Sequence, residues 1–86
     1  MADYIELRRP GAMPDGSTLE RVEMRRPTLG DVITCKVRFG DNDIEGEARL
    51  VARLCGLNPE DIRLLDLSDY LALNARLAGF LGNAEA

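Results

Sequence analysis

Two near-copies of a six-residue pattern constrain the first third of this chain more than any other feature. Residues 5–10 read Ile-Glu-Leu-Arg-Arg-Pro, and residues 22–27 read Val-Glu-Met-Arg-Arg-Pro. Apolar and charged side chains alternate at the start of each copy, which is the period of a strand with one buried face. An Asp-Gly pair between the copies is a strong turn signal. The sequence therefore predicts a β-hairpin over residues 5–26.

The strand register follows if Asp-Gly occupies the two central positions of the turn. Leu7 then faces Met24 and Glu6 faces Arg25, so that one face is apolar and the other has matched charges. We also expect the ladder to be interrupted near Pro10, because proline has no N–H to donate.

The segment after the hairpin opens a helix. Thr28 is a suitable N-cap, and Asp31 three residues later completes a capping box near the positive end of the helix dipole. Apolar residues follow at helical spacing. They are Leu29, Val32, Ile33 and Val37, with Phe39 just beyond.

Two further helices have clear boundaries. The segment from Ile44 to Cys55 repeats apolar residues at helical spacing and is followed by Gly56, a typical C-cap. Asn58 and Pro59 then supply an N-cap and a first helical residue.

The last helix is the most apolar of the predicted elements. Asp69 lies near its N-terminus, where the helix dipole favours a carboxylate. Its apolar stripe consists of Tyr70, Leu73, Leu77 and Phe80. In a domain this small the stripe need not be fully covered, so these four residues are candidate partner-binding residues. The alternative is that they form the core.

These elements predict the α+β class, with an N-terminal β-hairpin packed on three or four short α-helices. Because 86 residues leave no room for a second core, we expect a single domain over residues 1–86. Its parts are the hairpin at 5–26, a helical part at 28–82 and a frayed tail at 83–86.

Composition narrows the chemistry. The chain has no histidine and only two cysteines, Cys35 and Cys55, which we expect to be reduced thiols. This composition excludes ordinary zinc sites built from His and Cys, and catalysis with imidazole as the base. Glycine-rich phosphate loops are also missing. We therefore predict a protein that is not an enzyme and assign no catalytic, cofactor-binding or metal-binding residues.

Charge and hydropathy also bear on partners. The net charge of −4 argues against nucleic acid as a partner, although the paired Arg-Arg-Pro copies keep a small nucleic-acid-associated regulatory protein as the alternative. An enzyme accessory subunit that docks through the last helix is a third possibility. Apolar runs are too short to cross a bilayer, and the N-terminal residues do not form a signal peptide, so we expect no membrane association.

Several short motifs occur in a collinear order along nearly the whole chain. They are Met-Arg-Arg-Pro-Thr-Leu-Gly-Asp at 24–31, Leu-Val-Ala-Arg-Leu-Cys-Gly-Leu at 50–57, Pro-Glu-Asp-Ile at 59–62 and Leu-Asp-Leu-Ser-Asp-Tyr at 65–70. In this order the chain resembles the small tail assembly chaperones of Mu-like and P2-like contractile-tailed phages and their prophages.

The resemblance implies a non-enzymatic protein that binds the tape-measure protein of the tail. It would keep that long helical chain soluble until tube subunits polymerise around it, and then leave. It further implies a location in the cytoplasm of the bacterial host and absence from the finished virion. The stripe of the last helix would contact the tape-measure protein or a second copy of this chain in a homo-oligomer.

Overall fold

The computed structural model describes residues 4–38 and 41–82, which form two strands and four helices. The strands β1 (Tyr4–Ala12) and β2 (Thr18–Glu23) pair in antiparallel fashion. The helices are α1 (Leu29–Cys35), α2 (Ile44–Cys55), α3 (Pro59–Ile62) and α4 (Leu67–Gly82). The predicted α+β class, with a hairpin followed by helices, is confirmed. Phe39 and the predicted frayed tail lie outside the described residues.

The hairpin turn is a loop over residues 13–17. Asp15 Oδ1 accepts hydrogen bonds from the backbone N–H of Ser17 at 2.9 Å and from its hydroxyl at 2.6 Å. Gly16 follows with φ of +90°, a conformation that residues with a Cβ rarely adopt. The Asp-Gly turn is therefore confirmed, but the loop is longer than the two residues assumed for the register.

A bulge in β1 sets the strand register. Glu6 pairs with Arg21 and Gly11 pairs with Leu19, so residues 7–10 of β1 face a single residue of β2. Bulges of this kind bend a strand and free backbone groups from the ladder.

The predicted pairs of Leu7 with Met24 and of Glu6 with Arg25 are therefore wrong. They assume a two-residue turn and a continuous β1, whereas the loop spans residues 13–17 and β1 contains extra residues at the bulge. The interruption near Pro10 is confirmed. Leu7 and Met24 are nevertheless both buried in the core, although they are not partners in the ladder.

A carboxylate from the other end of the chain holds the bulge. Asp69 Oδ1 accepts from the backbone N–H of Arg8 at 2.8 Å, and Oδ2 accepts from that of Arg9 at 2.9 Å. Asp69 is in the first turn of α4, as predicted, and is only 2% exposed. The N–H groups that the bulge removes from the ladder are thus satisfied by α4.

A second buried carboxylate joins the exit of the hairpin to α1 and α2. Asp31 accepts from two Nη atoms of Arg25 at 2.7 Å each and from Nε of Arg53 at 2.7 Å. It also exchanges hydrogen bonds with Thr28, which confirms the predicted capping box. The guanidinium groups of Arg25 and Arg53 hold the pKa of Asp31 well below its usual range.

These bonds determine which face of α1 turns inward. Asp31 and Cys35 are buried, whereas Leu29 and Ile33 are exposed. Of the four apolar residues that spacing assigns to this segment, Val32 and Val37 are partly buried against the core. The ion pairs of Asp31 with side chains from the hairpin exit and α2 require its carboxylate to face inward.

The core lies between the hairpin, α2 and α4. The buried apolar residues are Leu7, Val22, Met24, Cys35, Leu50, Val51, Ala52, Leu54, Ile62, Leu65, Leu73 and Leu77. Gly56 ends α2 with φ of +73° and Pro59 begins α3, both as predicted. Cys35 and Cys55 are free thiols, and burial raises the pKa of Cys55 to about 11.

The stability that Asp31 contributes should depend on acid pH. Its pKa in the folded protein lies below that of an unfolded aspartate, about 3.9. The contribution is therefore fully present above that value and is lost as the pH falls below it towards the folded pKa. We expect Asp31→Asn to flatten the fall in unfolding free energy between about pH 5 and pH 2. Urea titrations at stepped pH test this against the exposed control Asp41→Asn, and equal slopes for Asp31→Asn and wild type would contradict it.

Removing the Asp69 carboxylate should destabilise the whole fold. Asp69→Ala leaves two backbone N–H groups of the bulge without their acceptor, and hydrogen bonds to charged groups contribute about 1.5–3 kcal/mol each. We expect a loss of about 3–6 kcal/mol in the free energy of urea unfolding. The exposed control Glu60→Gln should stay within about 0.5 kcal/mol of wild type. An Asp69→Ala protein as stable as this control would show that the bulge does not need α4.

Candidate partner-binding surface

The stripe predicted to bind a partner lies on the inner side of α4. Leu73 is 0% exposed and Leu77 is 2% exposed, and both belong to the core. Tyr70 and Phe80 are partly buried and pack against that core. The structure therefore brings the four residues together, but only Tyr70 and Phe80 reach the surface. Their contact with a partner stays a prediction.

A second apolar stripe on α4 points outward. We call it the outer seam, and it consists of Leu67, Leu71, Asn74, Ala78 and Leu81. Its three leucines are 68%, 54% and 41% exposed in chain order. Successive members are alternately four and three residues apart, which is a period of 3.5 residues.

This spacing is the one by which helices pack along each other in coiled coils. A single polar residue in such a seam, here Asn74, favours one register of the partner at some cost in affinity. The same spacing is visible in the sequence. Spacing alone does not separate the outer seam from the inner stripe, because α4 is apolar on two sides and both stripes have similar spacing.

An apolar groove continues the outer seam towards α2 and α3. Its volume is about 330 Å³. Its lining residues are Ile44, Ala48, Ile62, Arg63, Leu65, Leu67 and Tyr70. Leu67 belongs to both surfaces, so groove and seam form one continuous apolar face.

Tyr70 lies in this groove with its hydroxyl buried. The hydroxyl finds no hydrogen-bond partner among the residues that the structure describes. Burial, with a smaller contribution from the carboxylate of Glu47, raises the pKa of Tyr70. A neutral phenol whose hydroxyl has no partner among the described residues therefore lines the groove.

A second cleft, which we call the arginine cleft, lies between β1 and α4. Its volume is about 550 Å³. It is lined by Ile5, Arg26, Ala72, Ala75, Arg76, Gly79 and Phe80. The Arg26 guanidinium carbon lies 5.2 Å from the centroid of the Phe80 ring, within cation–π range.

Gly79 is an unusual residue for the interior of α4. Glycine in a helix costs about 1 kcal/mol relative to alanine. A Cβ added at this position would meet no atom within 4 Å, and the backbone there has no positive φ that would call for glycine. Packing among the described residues thus gives no reason for glycine here.

The fold separates the two Arg-Arg-Pro copies. Arg9 lies 3.7 Å from Asp66 at the start of α4, whereas Arg26 stacks on Phe80 near its end. Fourteen residues of helix would place these two ends about 20 Å apart. Arg25 is bound within the fold by its bidentate ion pair. The copies therefore do not combine into one basic surface.

Three further properties of the described residues bear on the kind of site they can form. Within residues 4–38 and 41–82, no three potential metal ligands lie together. No helix in these ranges has both the length and the hydropathy to cross a bilayer. The buried carboxylates of Asp31 and Asp69 are both engaged in holding the fold.

Comparison with known proteins identifies the class. A family model described as phage tail assembly chaperone proteins, E, or 41 or 14, matches residues 4–82. This match runs from the first residue of β1 to the last residue of α4. No curated protein and no solved structure matches the chain. The chain belongs to the phage tail assembly chaperone family, which confirms the resemblance seen in its motifs and implies a phage tail protein as its partner.

Equivalent truncations on the two sides of α4 should differ in their effect on stability. Leu73→Ala creates a cavity in the core and should cost about 2–5 kcal/mol of unfolding free energy. Leu71→Ala removes a side chain that is already solvated and should change it by no more than about 0.5 kcal/mol. Thermal and urea unfolding of both proteins make the comparison. Similar losses of unfolding free energy for both variants would contradict the prediction, because Leu71 would then contribute to the stability of the fold as Leu73 does.

Proposed function

We propose that this protein binds the tape-measure protein of a phage tail and keeps it soluble until tube subunits enclose it. Membership of the tail assembly chaperone family supports a role in tail assembly. The observation that carries the proposal is the outer seam, because an exposed apolar repeat of 3.5 residues fits a helical partner.

The size of the seam suits a reversible contact. Burial of an exposed leucine contributes about 1.5–3 kcal/mol, and only three leucines project from the seam. Part of that gain is offset by the cost of association. The affinity of each copy of this protein for the tape-measure protein is then modest. Several copies bound along one tape-measure chain would raise the occupied fraction of that chain, while tube subunits could still displace each copy.

We also infer where in the cell the protein acts. A protein that holds the tape-measure chain before the tube closes would act in the cytoplasm of the bacterial host and be absent from the finished virion. Its role would be contact without bond making or breaking. A second copy of the chain is the competing occupant of the seam.

Replacing Leu71 by a charged residue should disable the chaperone without unfolding it. Glutamate at this exposed position puts a carboxylate into the partner's apolar face, where desolvating it is costly. We expect Leu71→Glu to leave most co-expressed tape-measure protein in the pellet after centrifugation. The measurement is the soluble fraction of that protein, alongside the thermal stability of each chaperone variant.

The matched control is Leu29→Glu. Leu29 is also a highly exposed leucine, but it belongs to α1 and not to the seam on α4. This variant should keep the tape-measure protein soluble. If folded Leu71→Glu keeps as much tape-measure protein soluble as Leu29→Glu does, the seam is not the surface that binds the tape-measure protein. Sedimentation of the purified variants tests whether a second copy of the chain occupies the seam instead. If Leu71→Glu loses a dimer but still keeps the tape-measure protein soluble, the seam serves self-association.

A further inference from the structure

The arginine cleft presents the guanidinium group of Arg26 at its wall. Arg26 stacks on Phe80, and among the described residues the structure gives its guanidinium no carboxylate partner. Stacking on an aromatic ring restricts the orientation of a guanidinium and leaves its edge N–H groups available. Such a group is well suited to bind a carboxylate through two parallel hydrogen bonds.

The α4 residues that form the floor of the cleft have small side chains or none. Ala72, Ala75 and Gly79 lie three and four residues apart on one side of α4, and none carries more than a methyl group. Open space above Gly79 would admit a Cβ, yet the residue is the weakest helix former apart from proline. The distance between two packed helices depends on the side chains at their contact, so these small residues would let the backbone of a second helix come close to α4.

The cleft and the outer seam are neighbouring surfaces. Each floor residue directly follows a seam residue in the sequence, as Ala72 follows Leu71 and Gly79 follows Ala78. Adjacent residues of a helix differ by about 100° around its axis. A partner that covers the seam is therefore within reach of the cleft.

We propose that the arginine cleft receives a helical segment of the tape-measure protein that carries an acidic residue. The segment crosses α4 over Ala75 and Gly79, and its carboxylate binds the edge of Arg26. This inference rests on the proposed function, since it specifies the chemistry of the same partner. It also assigns a role to Gly79, which the fold alone does not explain.

Filling the cleft should weaken binding without weakening the fold. Gly79→Ala and Gly79→Leu put side chains into open space and replace glycine by better helix formers, so both should raise the melting temperature. We expect Gly79→Leu and, separately, Arg26→Glu to raise the Kd for the purified tape-measure protein about tenfold. The smaller Gly79→Ala should have a smaller effect. Arg26→Lys should recover part of the loss, because it restores charge without the planar fork.

The outcomes separate this inference from the proposed function. If Leu71→Glu abolishes binding while Gly79→Leu and Arg26→Glu bind as wild type does, the cleft assignment is overturned and the seam stands. If wild type itself fails to bind the tape-measure protein, both proposals fall. Salt-dependent binding to heparin that Arg26→Glu abolishes, with tape-measure affinity unchanged, would make the cleft a phosphate site and overturn the inference. A lower melting temperature for Gly79→Ala would show that glycine is required by the fold.

Discussion

The hydrogen bonds between Asp69 and the bulge of β1 are the contact on which the rest of the arrangement depends. They join residues about sixty positions apart and attach the first turn of α4 to the hairpin. With that turn fixed, the rotation of α4 about its axis is fixed as well. Leu73 and Leu77 then pack inward, and the outer seam faces solvent. The buried carboxylate and the packing of Leu73 and Leu77 together leave the outer seam as the surface available to a partner.

The first and last motifs of the chain contain residues that connect one element of the fold to another. Thr28 and Asp31 of the first motif cap α1, and Asp31 binds arginines from the hairpin exit and α2. Asp69 of the last motif holds the bulge. A buried carboxylate is tolerated only when its charge is matched by donors, so these positions demand particular residue types. Partner contact is a separate property, and we propose it for the leucines of the outer seam, of which these motifs contribute Leu67.

Sequence reasoning succeeded where structure is local. The cap at Thr28, the end of α2 at Gly56 and the start of α3 at Pro59 each depend on a few neighbouring residues, and all were predicted. The strand register was wrong because the loop is longer than a two-residue turn and because β1 contains a bulge, which Asp69 holds from far along the chain. Helical spacing also left open which of the two apolar stripes of α4 faces the core. That choice requires the position of the hairpin, which periodicity alone does not supply.

The central claim is that the tape-measure protein meets the outer side of α4 while the inner side stays in the core. The most direct test is methyl NMR of the leucine-labelled protein, titrated with a soluble segment of the tape-measure protein. We expect the methyl resonances of Leu67, Leu71 and Leu81 to shift as the segment binds, and those of Leu73 and Leu77 to keep their positions. Large shifts at Leu73 and Leu77 with Leu71 unchanged would contradict it, because α4 would then have to leave the hairpin to meet its partner.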